Sequence, residues 1–159
     1  MVTATYTREQ ILDILSVIAD PEIPVVTIRE MGMLRDVHVT PQGYEVIITP
    51  TYTGCPAMGI IEADIKAELY AKGVSPVTVT MVYSPAWTTD WISEAAKAEM
   101  KTYGIAPPQH SSCETSAVVQ CPLCNSQNTQ LISRFGATAC KALYKCNDCH
   151  EPFEHFKCH

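Results

Sequence analysis

The sequence predicts an α+β fold, with an αββαβα domain built on a three-stranded mixed sheet and a small cysteine-rich β ribbon after it. Three observations carry this expectation. A Ser/Thr-x-x-Glu/Gln capping box opens a segment whose apolar residues recur at helical spacing. Alternating, β-branched stretches are joined by a short Pro/Gly turn. The last third holds two knuckles, Cys121-Pro-Leu-Cys124 and Cys146-Asn-Asp-Cys149, with 21 residues between them. Segments in the order α-β-β-α-β-α, then short strands, read as α+β rather than a repeating βα unit.

The first helix is expected from Thr7, where Thr7-Arg-Glu-Gln10 forms the capping box and Ile11, Leu12, Ile14, Leu15 and Ile18 make one apolar face. Asp20-Pro21 ends it, because the residue before a proline is pushed out of the α region. Residues 20–27 then form an ordered loop fixed by two prolines. Met33–Thr40 and Tyr44–Thr49 read as a hairpin around Pro41-Gln42-Gly43. A second helix is expected at Cys55-Pro56, with Ala57, Ile61, Ile65 and Leu69 on one face and Gly73 at its end. Pro76–Tyr83 alternates as a third strand, and Trp87 to Tyr103 reads as a third helix, entered through Thr88-Thr89-Asp90 and stopped by Gly104. The Pro and Ser content of residues 105–117 marks a connection. The ribbon strands are expected near Gln130–Phe135 and Ala142–Lys145. The expected division is therefore residues 1–106, a linker at 107–118, and a ribbon at 119–159.

Composition narrows the function classes. A chain of 159 residues with 47% hydrophobic and 18% charged residues is globular rather than disordered. No apolar run approaches the ~20 residues that would span a membrane, and the first residues lack a signal-peptide layout. Eight cysteines without an export signal point to a reducing compartment, hence a cytoplasmic protein, and to metal chemistry. Residues 1–110 hold 7 Lys/Arg against 13 Asp/Glu, and residues 111–159 hold 4 against 4. Neither half offers the basic patch that nucleic acid demands.

The four knuckle cysteines have the pattern of a four-thiolate zinc ribbon, a closed coordination shell with no open position for catalysis. The gap between the pairs is one residue beyond the usual template, a small departure for a loop. A ribbon this small needs such a staple, since it cannot bury much core. Cys55 is the second candidate. A thiol between a strand and a helix N-terminus meets unpaired N–H groups that can favour the thiolate. The residues alone leave this open against a buried cysteine filling a helix–sheet gap. Asp20 and Glu22 can cap a helix, orient a thiol or bind a hard metal, or form a solvated pair. His38 reads as a strand-surface residue, so no Cys–His dyad assembles. Trp87 and Trp91 read as core. Cys140 and Cys158, with His150, His155 and His159, form either a second thiol/imidazole site or reduced thiols in the ribbon's small core, and Cys113 reads as a free linker cysteine.

Three motifs carry a resemblance. Asp20-Pro-Glu-Ile-Pro24, the Met31-Gly32 step and Thr51-Tyr-Thr-Gly-Cys55-Pro56 together resemble the iron–sulfur assembly domain family that includes SufT-like proteins. Ser84-Pro-Ala-Trp-Thr-Thr-Asp-Trp91, Phe135-Gly-Ala-Thr-Ala-Cys-Lys-Ala-Leu-Tyr144 and Glu151-Pro-Phe-Glu-His-Phe-Lys-Cys158 are similar to the PaaD (PaaJ) family of phenylacetate degradation. The resemblance implies a bacterial cytoplasmic accessory protein of the phenylacetyl-CoA 1,2-epoxidase, a multicomponent oxygenase. Its favoured role is assembly of the [2Fe–2S] cluster of the reductase component. The competing role is a non-catalytic subunit that stabilises the oxygenase or couples the reductase to it. The chain lacks the paired Glu-x-x-His motifs of a di-iron bundle and any Gly-x-Gly-x-x-Gly, so it is not expected to be an enzyme alone. Cys55 would hold iron or a cluster transiently, helped by Asp20, Glu22 and Thr51. One cysteine cannot supply four ligands, so a homodimer, a client cysteine or a small thiol must complete the shell.

Overall fold

A computed structural model describes residues 6–109 and 118–158 of the chain. Two compact units result, Met1–Trp87 and Thr88–His159. The first is a mixed sheet with helices on one face. Helix α1 (Arg8–Leu15) begins at the capping box, with Gln10 N–H donating to the Thr7 hydroxyl (3.3 Å) and Thr7 N–H to the Gln10 side chain (2.8 Å). It stops at Ser16, sooner than the apolar spacing suggests, because the Ser16 hydroxyl turns back to the Asp13 carbonyl (2.6 Å).

Strands β1 (Leu34–Thr40) and β2 (Gly43–Ile48) form the expected hairpin, and β3 (Val77–Met81) pairs with β2 in parallel. The order β1-β2-β3 therefore mixes both senses. Parallel pairing requires a crossover, which α2 (Met58–Ala71) supplies. In register, Val37, Val46 and Val79 share one sheet face with Tyr44 and Val77. Ile11 and Leu15 of α1 and Ile61, Ile65 and Leu69 of α2 are fully buried alongside Val46 and Ile48. Burying each such side chain contributes about 1.5–3 kcal/mol. The opposite face is polar: Glu45 accepts from Thr80 (2.6 Å) and lies 3.4 Å from His38.

Helix α2 starts three residues later than the sequence suggests. Its N-cap is Ala57, which has no side-chain hydrogen bond to offer, so Cys55 and Pro56 belong to the turn before the helix. The C-terminal end is as expected, with Gly73 at φ 76°.

In the second unit the expected third helix is broken. Thr89–Trp91 makes a single 3-10 turn capped by Thr88, Ile92 is extended, and Ser93 caps α3 (Glu94–Tyr103) anew. Gly104, at φ 97°, ends α3 and leads into β4 (Ile105–Ala106). Strands β5 (Thr129–Ser133), β6 (Lys141–Cys146) and β7 (Pro152–Phe156) complete a four-stranded sheet in the order β4-β7-β6-β5. The compact units thus divide ahead of the stretch that composition marked as a linker, because α3 packs on β4 and β4 pairs with β7. Most of that linker, including Cys113, lies outside the described residues. The ribbon core is small: Ala106, Val119, Cys121, Cys146 and Phe153, with Tyr144 stacked on Phe153 (ring centroids 5.9 Å).

Candidate functional site

Cys55 lies in the connection from β2 to α2, at the carboxyl end of a parallel strand pair. That is where open sheets with crossover helices leave their backbone groups free for function. Its own N–H donates to the Tyr52 carbonyl (3.3 Å), and its carbonyl accepts from Met58 (3.4 Å). These bonds fold Tyr52–Met58 into tight turns that turn the thiol inward, and the residue is 9% exposed.

The structure brings the four residues of this site together. The Cys55 thiol is engaged by the Ala57 N–H and the Thr51 hydroxyl and feels the charges of Glu22 and Asp20. Asp20 is buried, and its Oδ1 accepts from the N–H groups of Glu22 (2.7 Å) and Ile23 (3.0 Å). The Asp20 N–H donates to Val26 (2.8 Å), and Ala19 bridges to Thr27. A second box, Thr27 with Glu30, closes the next turn: Glu30 Oε2 accepts from the Thr27 N–H and hydroxyl, both at 2.9 Å. The sequence shows this Thr-x-x-Glu in plain form, but the expectation passed over it.

Of the two readings the residues left open for this thiol, its surroundings favour the buried one. Burial pushes the Cys55 thiol above its ordinary range, and the charges of Glu22 and Asp20 push it further, outweighing the Ala57 N–H and the Thr51 hydroxyl. A helix N-terminus two residues further on cannot offset desolvation plus two carboxylates. Beside the thiol site, a recess of about 100 Å3 is lined by Thr49–Thr53, Tyr83, Ala86 and Trp87. Trp87 is buried and donates its indole N–H to the Met31 carbonyl (2.8 Å), so it is a core residue as expected.

In the ribbon, the sulfurs of Cys121, Cys124, Cys146 and Cys149 all lie within 4.8 Å of one another. Cys121 and Cys149 are 3.8 Å apart, and Cys124 and Cys146 are 3.5 Å apart. Metal–sulfur bonds of about 2.3 Å at tetrahedral angles require sulfur–sulfur edges of about 3.8 Å, so the donor set fits a tetrahedral ion. The two knuckles repeat one geometry. Cys121 N–H donates to Ser126 (2.9 Å) and Cys146 N–H to Glu151 (3.0 Å), while Asn125 (φ 63°) and His150 (φ 65°) each take a left-handed conformation after the second cysteine. Side chains cross-brace the pair: Asp148 accepts from Ser126 and from Asn128 (3.0 Å), and Asn147 donates to Asn128 (3.0 Å).

The thiols titrate unequally without a cation. N–H groups of Cys149 and Asp148 hold Cys146 down at about 7. Cys124 receives the Ser126 N–H, but desolvation and the adjacent thiols outweigh it and push it up to about 12. Four sulfurs at these separations cannot all ionise unless a cation neutralises them. Of the remaining cysteines, Cys140 is a buried thiol 3.0 Å from the Thr138 hydroxyl. Cys158 is disulfide-bonded rather than reduced. His155 is buried too, its Nδ1 donating to Ala106 (3.1 Å), and desolvation lowers its pKa, so it acts in packing. Among the described residues the four knuckle cysteines are the one cluster able to hold a metal ion, and no helix is long and apolar enough to cross a membrane.

Comparison with known proteins agrees with this two-part arrangement. Residues 8–82 match the model of an iron–sulfur cluster assembly protein, and residues 105–157 match the PaaD zinc β-ribbon domain. The chain is 47% identical over 151 residues to an Escherichia coli (strain K12) protein provisionally named as a subunit of 1,2-phenylacetyl-CoA epoxidase, covering 94% of this chain and 92% of that one. It is 34% identical over 96 residues to an Fe–S protein maturation auxiliary factor of Porphyromonas gingivalis, covering 59% of this chain and 90% of that protein. Among solved structures, a domain of unknown function (DUF59) from Bacillus anthracis superposes with a TM-score of 0.53 at 29% identity, covering 57% of this chain and 87% of that one. A conserved hypothetical protein of Thermotoga maritima gives 0.52 at 25% identity, covering 62% and 98%. Together with these matches, a lone buried thiol on an iron–sulfur assembly domain and a four-cysteine ribbon place the chain in the PaaD family of phenylacetyl-CoA epoxidase components.

Proposed function

We propose that the protein is a non-catalytic accessory component of a phenylacetyl-CoA 1,2-epoxidase system that helps place the iron–sulfur cluster of the reductase. The observation that carries this reading is the pairing of Cys55 with Asp20, Glu22 and Thr51. The two carboxylates that disfavour a free thiolate favour a thiolate bound to a cation. Iron, as cargo, would displace the thiol proton, and its charge would be balanced by Asp20 and Glu22. Such a group is a poor nucleophile at neutral pH and a soft ligand on demand. One chain supplies one such thiol, so a second copy, a client cysteine or a small thiol completes the coordination. Zinc held by Cys121, Cys124, Cys146 and Cys149 supplies folding energy to the ribbon, which recognises the client.

The test is to express the reductase with the wild-type protein, without it, and with Cys55→Ala. Cluster occupancy is expected to fall in the last two cases, and full occupancy in all three would end the proposal. Metal analysis adds a second readout: zinc in both proteins, iron in the wild type alone. The second reading, a component that stabilises the oxygenase or couples the reductase to it, is supported by the name of the Escherichia coli relative. It expects stoichiometric co-purification with the oxygenase and indifference to Cys55→Ser.

A further inference from the structure

We propose that the β5–β6 loop of the ribbon is a preformed docking element whose anchor, Phe135, seats in an apolar pocket on an acidic protein surface. The partner is another component of the epoxidase system, an identity that rests on the reading above. Phe135 is 65% exposed, yet its loop is held from several directions. Its N–H donates to the Ser133 hydroxyl (3.2 Å), and the Lys157 ammonium sits 4.6 Å from its ring centroid. The same ammonium donates to the Arg134 carbonyl (3.0 Å), and the Lys157 N–H donates to Cys140 (2.9 Å). Gly136 N–H donates to the Lys141 carbonyl (2.7 Å), and Ala137 N–H reaches Glu154 Oε1 (3.3 Å). A Cβ on Gly136 would lie 3.3 Å from the Glu154 carboxyl carbon, so the loop closes tightly on that side chain.

An exposed aromatic on a slack loop pays for ordering when it binds; one already clamped does not. Large aromatic anchors of this kind dominate binding energy at protein interfaces. The edge strand leading into the loop adds exposed Leu131 and Ile132. Charge selects the partner. Lys141 and Glu154 cancel in a 2.8 Å pair, which leaves Lys157 over the ring and Arg134 next to Phe135 in the chain. A basic rim around an apolar anchor calls for an acidic rim around an apolar pocket. Anionic membranes are recruited by clusters of about 4–8 basic residues, and two such residues on a chain of net charge −6 fall short.

The experiment uses full-length, metal-loaded protein and measures binding to the purified oxygenase and reductase components, at low and high salt. Phe135→Ala is expected to weaken binding about 30-fold or more, Phe135→Leu to recover part of the loss, and Arg134→Glu to slow association and flatten its salt dependence. Unchanged metal content and circular dichroism confirm that the variants fold. Equal affinity of wild type and Phe135→Ala overturns the docking element and leaves the epoxidase reading standing. Failure of the wild type to bind either component overturns both. Capture by phosphatidylglycerol vesicles that Phe135→Ala abolishes overturns the protein partner in favour of a lipid surface.

Discussion

The surroundings of Cys55 favour its protonated form. Burial, Glu22 and Asp20 all act in that direction, and Thr51 and the Ala57 N–H oppose them. Alkylation of Cys55 followed against pH is expected to show a midpoint above the ~8.5 of a free thiol. Glu22→Gln should move that midpoint down and Thr51→Val should move it up; a midpoint indifferent to both would remove the electrostatic account. The linkage has a definite sign. Because the folded state binds the thiol proton more tightly than the unfolded chain, this group's contribution to stability is complete below the unfolded pKa. It is lost as pH rises through the higher folded value. Asp20 is a poorer test position, since its carboxylate also ties down the N–H groups of Glu22 and Ile23.

At the level of elements, the two knuckles depend on a left-handed residue after each pair of cysteines. Asn125 and His150 take that conformation at φ 63° and 65° without being glycine. Asn125→Gly and His150→Gly are each expected to raise the unfolding free energy, by about 1 kcal/mol for the histidine and less for the asparagine, which tolerates the left-handed region, as read from denaturant unfolding. Caps carry similar weight: Thr7→Ala should cost about 1 kcal/mol by removing the hydroxyl that accepts from the Gln10 N–H, read from urea unfolding of the full chain. Features of this local kind were legible in the sequence, namely the Thr7 box, the β1–β2 hairpin, the glycine stops at 73 and 104, and both knuckles. What could not be read depends on residues distant along the chain. Strand β7 opens on a proline and pairs with β6, while β4 is two residues long and exists because Ile105 meets Glu154. Nor could Trp87–Asp90 be told from a helix start when Ser93 offered a better cap. For Cys55 the sequence showed a position between strand and helix, but the turn that sets it ahead of α2 and the direction of its pKa followed from burial and from a loop some thirty residues away.

Over the whole molecule, the two units have different sources of stability. The first packs two helices on a sheet around fully buried aliphatic side chains. The second has a small core that includes two of the cysteine ligands themselves, Cys121 and Cys146. Removal of metal by a chelator is expected to abolish amide protection in β5, β6 and β7 while Ile61 and Ile65 of α2 keep theirs, as read by hydrogen exchange. Simultaneous loss in both units would show that the chain folds as one cooperative body. Charge is divided as well: residues 1–87 carry 5 Lys/Arg against 10 Asp/Glu, and residues 88–159 carry 6 against 7. The polar brace of Ser126, Asn128, Asn147 and Asp148 has one more effect. It ties the two knuckles together through bonds that do not involve the ion, so the four sulfurs are held near one another before any ion arrives. Asp148→Ala is therefore expected to weaken metal binding without abolishing it, as read by competition with a chelator.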